Sequence, residues 1–415
     1  MVLSLILEEP FSMVYAKIAK MTKLVKALDN LYYRIRKYIM NKSCNRKTAM
    51  KKMFAIMLTA IFALSLLTAC SQNEFDPDAP ISDSKGKLGA NDPSKIQVVT
   101  TIFPEYDWVR EIVGLGQNGS GQSAADNVDI TMLLDNGVDL HSFQPTASDI
   151  AKISNCDIFI YVGGESDGWV DDALKEAKNK DMVVLDLLDV LGEEVKQEEI
   201  VEGMQEEEEE HDLDEATNED ADDDHEDEHH HEDGEIEYDE HVWLSVKDAQ
   251  ILCKKIAEAL EQKDSANADI YKANVESYCN ALAELDKEYQ SVADAASVKT
   301  ILFGDRFPFR YMVDDYGIDY YAAFVGCSAE TEASFETIIF LSGKVDELGL
   351  PAICTIENSD QKIANTVKDN TKTKNQEILT MNSLQSITSS DVEAGTTYLN
   401  AMKDNLEVLK KAMGN

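Results

Sequence analysis

The sequence predicts an α/β protein of two domains, each built on a parallel sheet, with a long rigid linker helix between them. Short β-branched runs alternate with segments of helical period between residues 96 and 187, and the same alternation returns between residues 300 and 381. Between the two sets, residues 266–296 carry apolar side chains at helical spacing without a break. Alternation of strands and helices is typical of βαβ units, whose strands are parallel.

The first domain is predicted over residues 96–264. Apolar, β-branched runs indicate its four strands, at residues 96–103, 128–134, 156–162 and 182–187. Helical spacing predicts a helix that ends at Gly114, a second helix that opens at residues 146–149 with Thr146 or Ser148 as its cap, and a third at residues 245–260.

The linker helix is predicted over residues 265–297, and the second domain follows over residues 298–415. The same patterns indicate four further strands, at residues 300–303, 320–324, 352–356 and 377–381. They also indicate helices at residues 309–315, 334–348, 359–370 and 397–413. The two domains therefore repeat one architecture.

Residues 50–70 have the layout of a bacterial lipoprotein signal. A basic start precedes a short apolar run that ends in Leu-Thr-Ala-Cys, with Cys70 last. This ending resembles the lipobox, in which the cysteine is acylated, so we expect a lipid anchor at Cys70 and a flexible tether at residues 71–95. The expected location is the extracellular face of the bacterial cytoplasmic membrane. Residues 1–49 fit no signal and are interpreted as an upstream extension from a misassigned start codon; an uncleaved membrane anchor is the alternative for the apolar run.

Acidic residues dominate the composition. The formal net charge is −41, and 25 acidic residues with a single lysine fall within residues 195–241. Nucleic acid is excluded as a partner, because binding it requires a basic surface. Residues 195–239 have too few apolar side chains to offset the entropy of ordering, so we expect a disordered acidic insert late in the first domain.

The cysteines indicate no disulfide framework. There are seven of them, an odd number, widely spaced and without a C-x-x-C pair. Buried, inert thiols are the ordinary interpretation of such cysteines.

The histidines fall into two groups. Five of the seven lie inside the acidic insert, at His211, His225, His229, His230 and His231. Imidazole suits zinc, copper and nickel, and flexible His-rich tracts are typical metal-collecting segments. The surrounding negative charge would raise the local concentration of cations. We therefore expect accessory metal capture here; a solvated acidic linker with incidental histidines is the alternative.

His141 and His241 form the second group. Each follows a predicted strand or precedes an ordered helix, within Asp-Leu-His141-Ser-Phe-Gln-Pro and Asp-Glu-His241-Val-Trp-Leu. Ligands of open α/β sheets bind beyond the carboxyl ends of the strands. A lone histidine is more often structural than a ligand, so from spacing alone these two are structural residues or, as the alternative, candidate metal ligands.

At these residues the sequence resembles the zinc and manganese solute-binding lipoproteins of ATP-binding-cassette importers, the cluster A-I family, and within it the zinc type. The segment His141-x-x-Gln-Pro-x-x-Ser-Asp resembles the stretch that carries the family's first metal histidine, and Asp-Glu-His241-Val-Trp-Leu resembles that of the second. An acidic, His-rich insert before the second motif is typical of the zinc type. The residues around Tyr398 resemble the family's last helix.

The resemblance departs from the family at the remaining two ligands. Gly304 stands where the family has a His or Glu, and Asn382 stands where it has an Asp or Glu. Zinc usually takes four ligands. We therefore consider Asp305 and Glu357 as metal ligands, with Glu105 as a further candidate. Each has a structural alternative, such as an ion pair with Arg306 for Asp305 or a helix cap for Glu357.

The resemblance implies a binding protein that captures a divalent metal and delivers it to an ABC permease and its ATPase. Zn²⁺ is the expected ion, with Mn²⁺ as the alternative, and we expect a monomer. A surface adhesin or a metal buffer of the same fold remains an alternative function. We expect no enzyme, because the sequence has no His-Glu-x-x-His motif and no nucleophile elbow.

Overall fold

The computed structural model describes residues 94–205, 237–328 and 332–414. Among these residues, no helix combines the length and the apolar character needed to cross a membrane. The predicted extension, the signal with Cys70 and nearly all of the tether lie outside the described residues. So does the middle of the acidic insert, with His211, His225, His229, His230 and His231.

The first lobe is built on a four-stranded parallel sheet of order β2-β1-β3-β4. Its strands are β1 (Ile96–Thr100), β2 (Val128–Met132), β3 (Ile158–Tyr161) and β4 (Val183–Asp186). All four coincide with predicted runs but are shorter. The first run was predicted to continue to Phe103, yet Phe103 already begins a helix, since Pro104 is favourable in a first helical turn.

Five helices follow or cover these strands. They are α1 (Phe103–Val113), α2 (Ala147–Asn155), α3 (Val170–Lys175), α4 (Leu187–Leu191) and α5 (Val246–Lys263). The predicted caps are confirmed: Gly114 ends α1 at φ 86°, and the Thr146 side chain accepts a hydrogen bond from the Asp149 amide. A left-handed φ of this kind suits glycine. The two short helices α3 and α4 were not predicted.

A long helix, α6 (Ala268–Ala295), precedes the second lobe. It packs along α5 and α1. Its buried face repeats every third or fourth residue, with Tyr271, Tyr278, Leu282 and Tyr289 fully buried.

The second lobe repeats the first in its sheet, which has the order β6-β5-β7-β8 and is again parallel. Its strands are β5 (Thr300–Phe307), β6 (Asp319–Val325), β7 (Ala352–Ile356) and β8 (Glu377–Met381). The fold class of two parallel α/β domains is thus confirmed. The strand β5 was predicted to end at Phe303 but continues to Phe307, with a shift of register between Phe303 and Arg306.

Five helices complete the second lobe. They are α7 (Arg310–Tyr316), α8 (Phe335–Leu348), α9 (Lys362–Asn370), α10 (Ser389–Glu393) and α11 (Tyr398–Ala412). α7 and α11 both contact α6. A separate apolar cluster lies between the second sheet and helices α8 and α9, whereas the main core includes residues of both lobes.

Tyr398, at the start of α11, joins the two lobes. Its backbone amide donates to Asp107 Oδ2 at 2.8 Å, and its hydroxyl donates to the carbonyl of Trp243 at 2.6 Å. Its ring packs edge-on against Trp108, with 5.2 Å between ring centroids. Trp243 in turn donates its indole N–H to the Ser383 carbonyl at 2.8 Å. Buried hydrogen bonds of this kind hold the lobes in one arrangement.

Asp107 makes the stability of this junction depend on pH. Burial raises its pKa from 3.8 to about 7, although the Tyr398 amide partly opposes the shift. A carboxyl with a raised pKa binds more protons in the folded than in the unfolded chain, so its contribution falls as pH rises from about 4 to 7. We therefore expect the free energy of unfolding of Asp107→Asn to fall less steeply over this pH range than that of the parent chain. The two slopes should differ by at most about 1.4 kcal/mol per pH unit.

The measurement is chemical unfolding of the metal-free chain at pH 5 and pH 7. Asp172→Asn is the matched control, because Asp172 is fully exposed and Lys175 lowers its pKa. Its carboxyl therefore stays ionised between pH 5 and pH 7, and the change of stability with pH should match that of the parent chain. An identical pH trend in Asp107→Asn and the parent chain would contradict the assignment.

Candidate metal centre

His141 lies beyond the carboxyl end of β2, in a 3-10 turn formed by Leu140–Ser142. Asp139 caps this turn, because its side chain accepts the His141 backbone N–H at 3.1 Å. Asp139 also forms an ion pair with Arg306 of β5, which lies in the other lobe. The side chain of His141 is mostly buried, with 12% of its surface exposed.

His241 is fully buried just before the 3-10 turn Val242–Leu244. Asp239 Oδ1 accepts both its backbone N–H at 2.9 Å and its ring Nδ1–H at 3.0 Å. The other ring nitrogen, Nε2, lies 3.2 Å from Nε2 of His141. The structure therefore brings together the two histidines that the sequence predicted, with one nitrogen of each facing the other.

Acceptors and donors around the rings suit metal binding through the two Nε2 atoms. A ligating histidine usually donates its second N–H to an oxygen, as His241 does to Asp239. Nδ1 of His141 lies 2.7 Å from Ser166 Oγ and 3.5 Å from Glu240 Oε2. Oε2 of Glu240 is buried and has no hydrogen-bond partner among the described residues. It can accept Nδ1–H once an ion occupies Nε2.

The electrostatics keep His141 neutral. Burial, followed by the neighbouring His241, lowers the pKa of His141 to about 3, and Asp139 opposes the shift. Only a neutral imidazole has a lone pair for a metal. Burial thus favours the form of the ring that can donate to a metal.

Cys327 is the third potential ligand, and the sequence reasoning missed it. One donor atom each of His141, His241 and Cys327 lie within 4.8 Å of one another, the only such His/Cys/Asp/Glu group among the described residues. Cys327 follows the carboxyl end of β6, and that strand exit was not considered as a ligand position. Burial and then the Glu198 carboxylate raise the pKa of its thiol.

The structure does not bring Asp305, Glu357 or Glu105 into this group. Glu357 accepts hydrogen bonds from the Ser383 amide and hydroxyl, both at 2.6 Å. It lines a cleft cavity of about 540 Å³ together with Asp305, whereas His141 and Cys327 line a separate one of about 260 Å³. Glu105 is fully buried and accepts the Thr101 amide at 2.8 Å at the start of α1.

Gly304 shows why the second lobe has no ligand at the position expected from the resemblance. A Cβ added there would lie 2.5 Å from Cα and 2.7 Å from the amide nitrogen of Ala364 in α9. Because these are backbone atoms, no side chain fits without displacing the helix. Asn382 is likewise engaged, since its Oδ1 accepts the Leu384 amide at 2.7 Å.

The two ends of the acidic insert meet beside the histidines. Gln197 and Tyr238 form an antiparallel bridge, and the Glu198 amide donates to the Glu237 carbonyl at 3.0 Å. Glu198, Glu237 and Tyr238 line the same cavity as His141 and Cys327. Residues near both ends of the acidic insert therefore line this cavity.

Fold and site together define a two-lobed α/β protein with a candidate metal centre between the lobes. The family described as "ZnuA: Zinc-uptake complex component A periplasmic" matches residues 98–412. The chain belongs to this family.

Similar proteins of known name agree with this assignment. The zinc-binding protein AdcA of Streptococcus pyogenes serotype M3 is 29% identical over 323 residues, which cover 76% of this chain and 56% of that protein. The chain thus spans little more than half the length of this relative. The high-affinity zinc uptake system protein ZnuA of Bacillus subtilis (strain 168) is 28% identical over 348 residues, covering 84% of this chain and 94% of its own.

Solved structures show the same fold. The Zn(II)-bound ZnuA-like domain of Streptococcus pneumoniae AdcA matches with a TM-score of 0.55 at 24% identity, covering 77% of this chain and all of that domain. The metal-dependent lipoprotein YcdH of Bacillus subtilis matches with a TM-score of 0.56 at 25% identity, covering 77% of this chain and 99% of YcdH.

Gly326 allows the β6 exit to lie against His241, and this close approach can be tested. A Cβ at Gly326 would lie 2.9 Å from Cε1 of the buried His241 ring and 3.0 Å from the Phe307 carbonyl oxygen. Since neither atom can move freely, Gly326→Ala should displace the ring or the Cys327 loop. Loss of support around a ligand typically weakens metal binding about 10–100-fold, and we expect a loss in that range.

Metal affinity measured by chelator competition checks this expectation. Gly343→Ala is the matched control, because a Cβ at Gly343, inside α8, meets no atom within 4 Å. The control should keep its affinity and gain about 0.5–1 kcal/mol of stability from helix propensity. Unchanged affinity in a folded Gly326→Ala chain would refute the tight contact with His241.

Proposed function

We propose that this chain binds Zn²⁺ through His141 and His241 in the cleft between its lobes and delivers it to an ABC permease and its ATPase. The observation that carries the proposal is the pair of Nε2 atoms 3.2 Å apart, together with oxygens placed at both Nδ1 atoms. Without an ion, the two Nε2 atoms share one proton in a hydrogen bond. A bound cation would take the place of that proton. Membership of a zinc-uptake family and the zinc-binding names of the relatives support the same function.

Zinc is favoured over manganese by the chemistry of the donors. Imidazole and thiol are borderline to soft ligands that suit zinc, whereas manganese prefers carboxylate, carbonyl and water. Asp305 and Glu357, the carboxylates first considered as ligands, line a different cavity from His141, so the proposal does not include them.

The cell-surface part of the proposal rests on the sequence. The signal at residues 50–70 and its cysteine support a lipid anchor at Cys70 on the outer face of the cytoplasmic membrane. Residues near both ends of the acidic, His-rich insert line the cavity, and its negative charge and its histidines, among them His225 and His229 to His231, would raise the local concentration of ions available to the site.

The double variant His141→Ala/His241→Ala tests the site directly. Each lost imidazole removes a ligand, so the tightest zinc site should disappear, with a loss of more than about 100-fold in affinity. Zinc titration of the purified full chain against a chromophoric chelator measures this. His225→Ala/His229→Ala removes the same number of imidazoles from the insert and should leave the tightest site intact. High-affinity binding that survives in the cleft variant would refute the site.

Growth under zinc limitation tests the delivery step. Bacteria that lack the chain should grow poorly and contain less zinc in chelator-treated medium, and the parent gene should restore both. The His141→Ala/His241→Ala gene should not. Normal zinc content in the deletion strain would favour a buffer or adhesin of the same fold over an importer component.

A further inference from the structure

Cys327 occupies a place that differs from those of the other described cysteines. Cys253 and Cys279 lie on the helices α5 and α6, Cys354 lies in β7, and Cys156 ends α2; all four are buried. Cys327 is half-buried in the turn after β6 and lines a cavity with His141 and Glu240. An apolar core position therefore explains the other four thiols but not this one.

We propose that Cys327 binds the ion as a thiolate, as the third protein ligand beside His141 and His241, and makes the site selective for zinc-like ions over manganese. This inference rests on the proposed zinc capture and adds a ligand to it. Its geometric basis is that Cys327 and the two histidines each place a donor atom within 4.8 Å of the others. Two zinc bonds of about 2.0–2.3 Å that meet at a tetrahedral angle join donors about 3.3–3.7 Å apart, so donors at the outer limit of this distance would draw together by about 1 Å when the ion binds.

Two contacts hold the turn so that the thiol stays beside the rings. The missing side chain of Gly326 lets the backbone lie against His241. The Cys327 amide donates to Glu198 Oε1 at 3.2 Å, which joins the turn to the start of the acidic insert. Since Cys327 comes from the second lobe and both histidines come from the first, an ion bound by all three joins the lobes.

Cys327 would also supply a metal donor from the second lobe, where the positions considered from the sequence supply none. The backbone of α9 leaves no room for a side chain at Gly304, and Glu357 is occupied by the Ser383 turn. Binding converts the Cys327 S–H and Zn²⁺ into a sulfur–zinc bond and a proton, which leaves to solvent. Three protein ligands leave the fourth zinc position for water or a carboxylate, and an incomplete protein shell suits an ion that must later be released.

Cobalt provides the test, because a thiolate bound to Co²⁺ gives a sulfur-to-metal charge-transfer band in the near ultraviolet, whereas imidazole and carboxylate do not. The full chain is loaded with one equivalent of Co²⁺, and Cys327→Ser is compared with Cys279→Ser, which removes a thiol far from the cavity. The parent chain and Cys279→Ser should show the band, and Cys327→Ser should lose it. Circular dichroism confirms that each variant is folded.

Zinc and manganese affinities, measured by chelator competition on the same three proteins, test selectivity. Loss of a direct ligand should cost zinc binding more than about tenfold, while manganese binding should change little, so the preference for zinc should shrink. A band that persists in Cys327→Ser, or a folded parent chain that binds Co²⁺ without a band, would overturn thiolate ligation but leave zinc capture by the histidines standing. If the parent chain bound neither Co²⁺ nor Zn²⁺, the proposed function itself would fail.

Discussion

The position of Tyr398 is the constraint on which the site depends. Its amide and hydroxyl bind Asp107 and Trp243, and Trp243 in turn binds the turn at Ser383. His241 is only two residues before Trp243, and the two rings lie 5.2 Å apart between centroids. The buried contacts that hold the lobes together therefore also orient the imidazole. A site with groups from two lobes needs such a junction, because its groups act together only when they are held in one arrangement.

Much of the fold could be predicted because its signals are local. The sequence pattern located all eight strands of the described residues, and Ala352–Ile356 and Glu377–Met381 have the predicted bounds. The errors have local causes too. The strand β5 passes Gly304, a residue that usually weakens strands, and continues after a shift of register. The helices α3 and α4 have only six and five residues, too few to show a helical period.

The site could be predicted only in part. His141 and His241 lie in motifs that resemble a family pattern, and the structure places them together. Cys327 has no such motif around it, and its proximity to the histidines results from packing between lobes that no local pattern records. For Asp305 and Glu357 the reverse holds, because their positions in the sequence suggested ligands. In the structure, Asp305 accepts the Arg306 amide at the register shift of β5, and Glu357 accepts the Ser383 amide. Attention to every strand exit, including the one after β6, would have found Cys327.

The bridge between Gln197 and Tyr238 has a consequence for how this protein can change. Just before residues 206–236 the Gln205 amide donates to the Ala323 carbonyl, and just after them Tyr238 pairs with Gln197, so both ends of this segment are held by described residues. Doubling the length of a flexible loop costs only about 0.6 kcal/mol of closure entropy. Insertions, deletions and changes of charge or histidine content within residues 206–236 therefore cost the fold little, whereas Glu198 and Met204, before this segment, are constrained by their contacts. The composition of the segment can thus change while the positions of His141 and His241 stay the same.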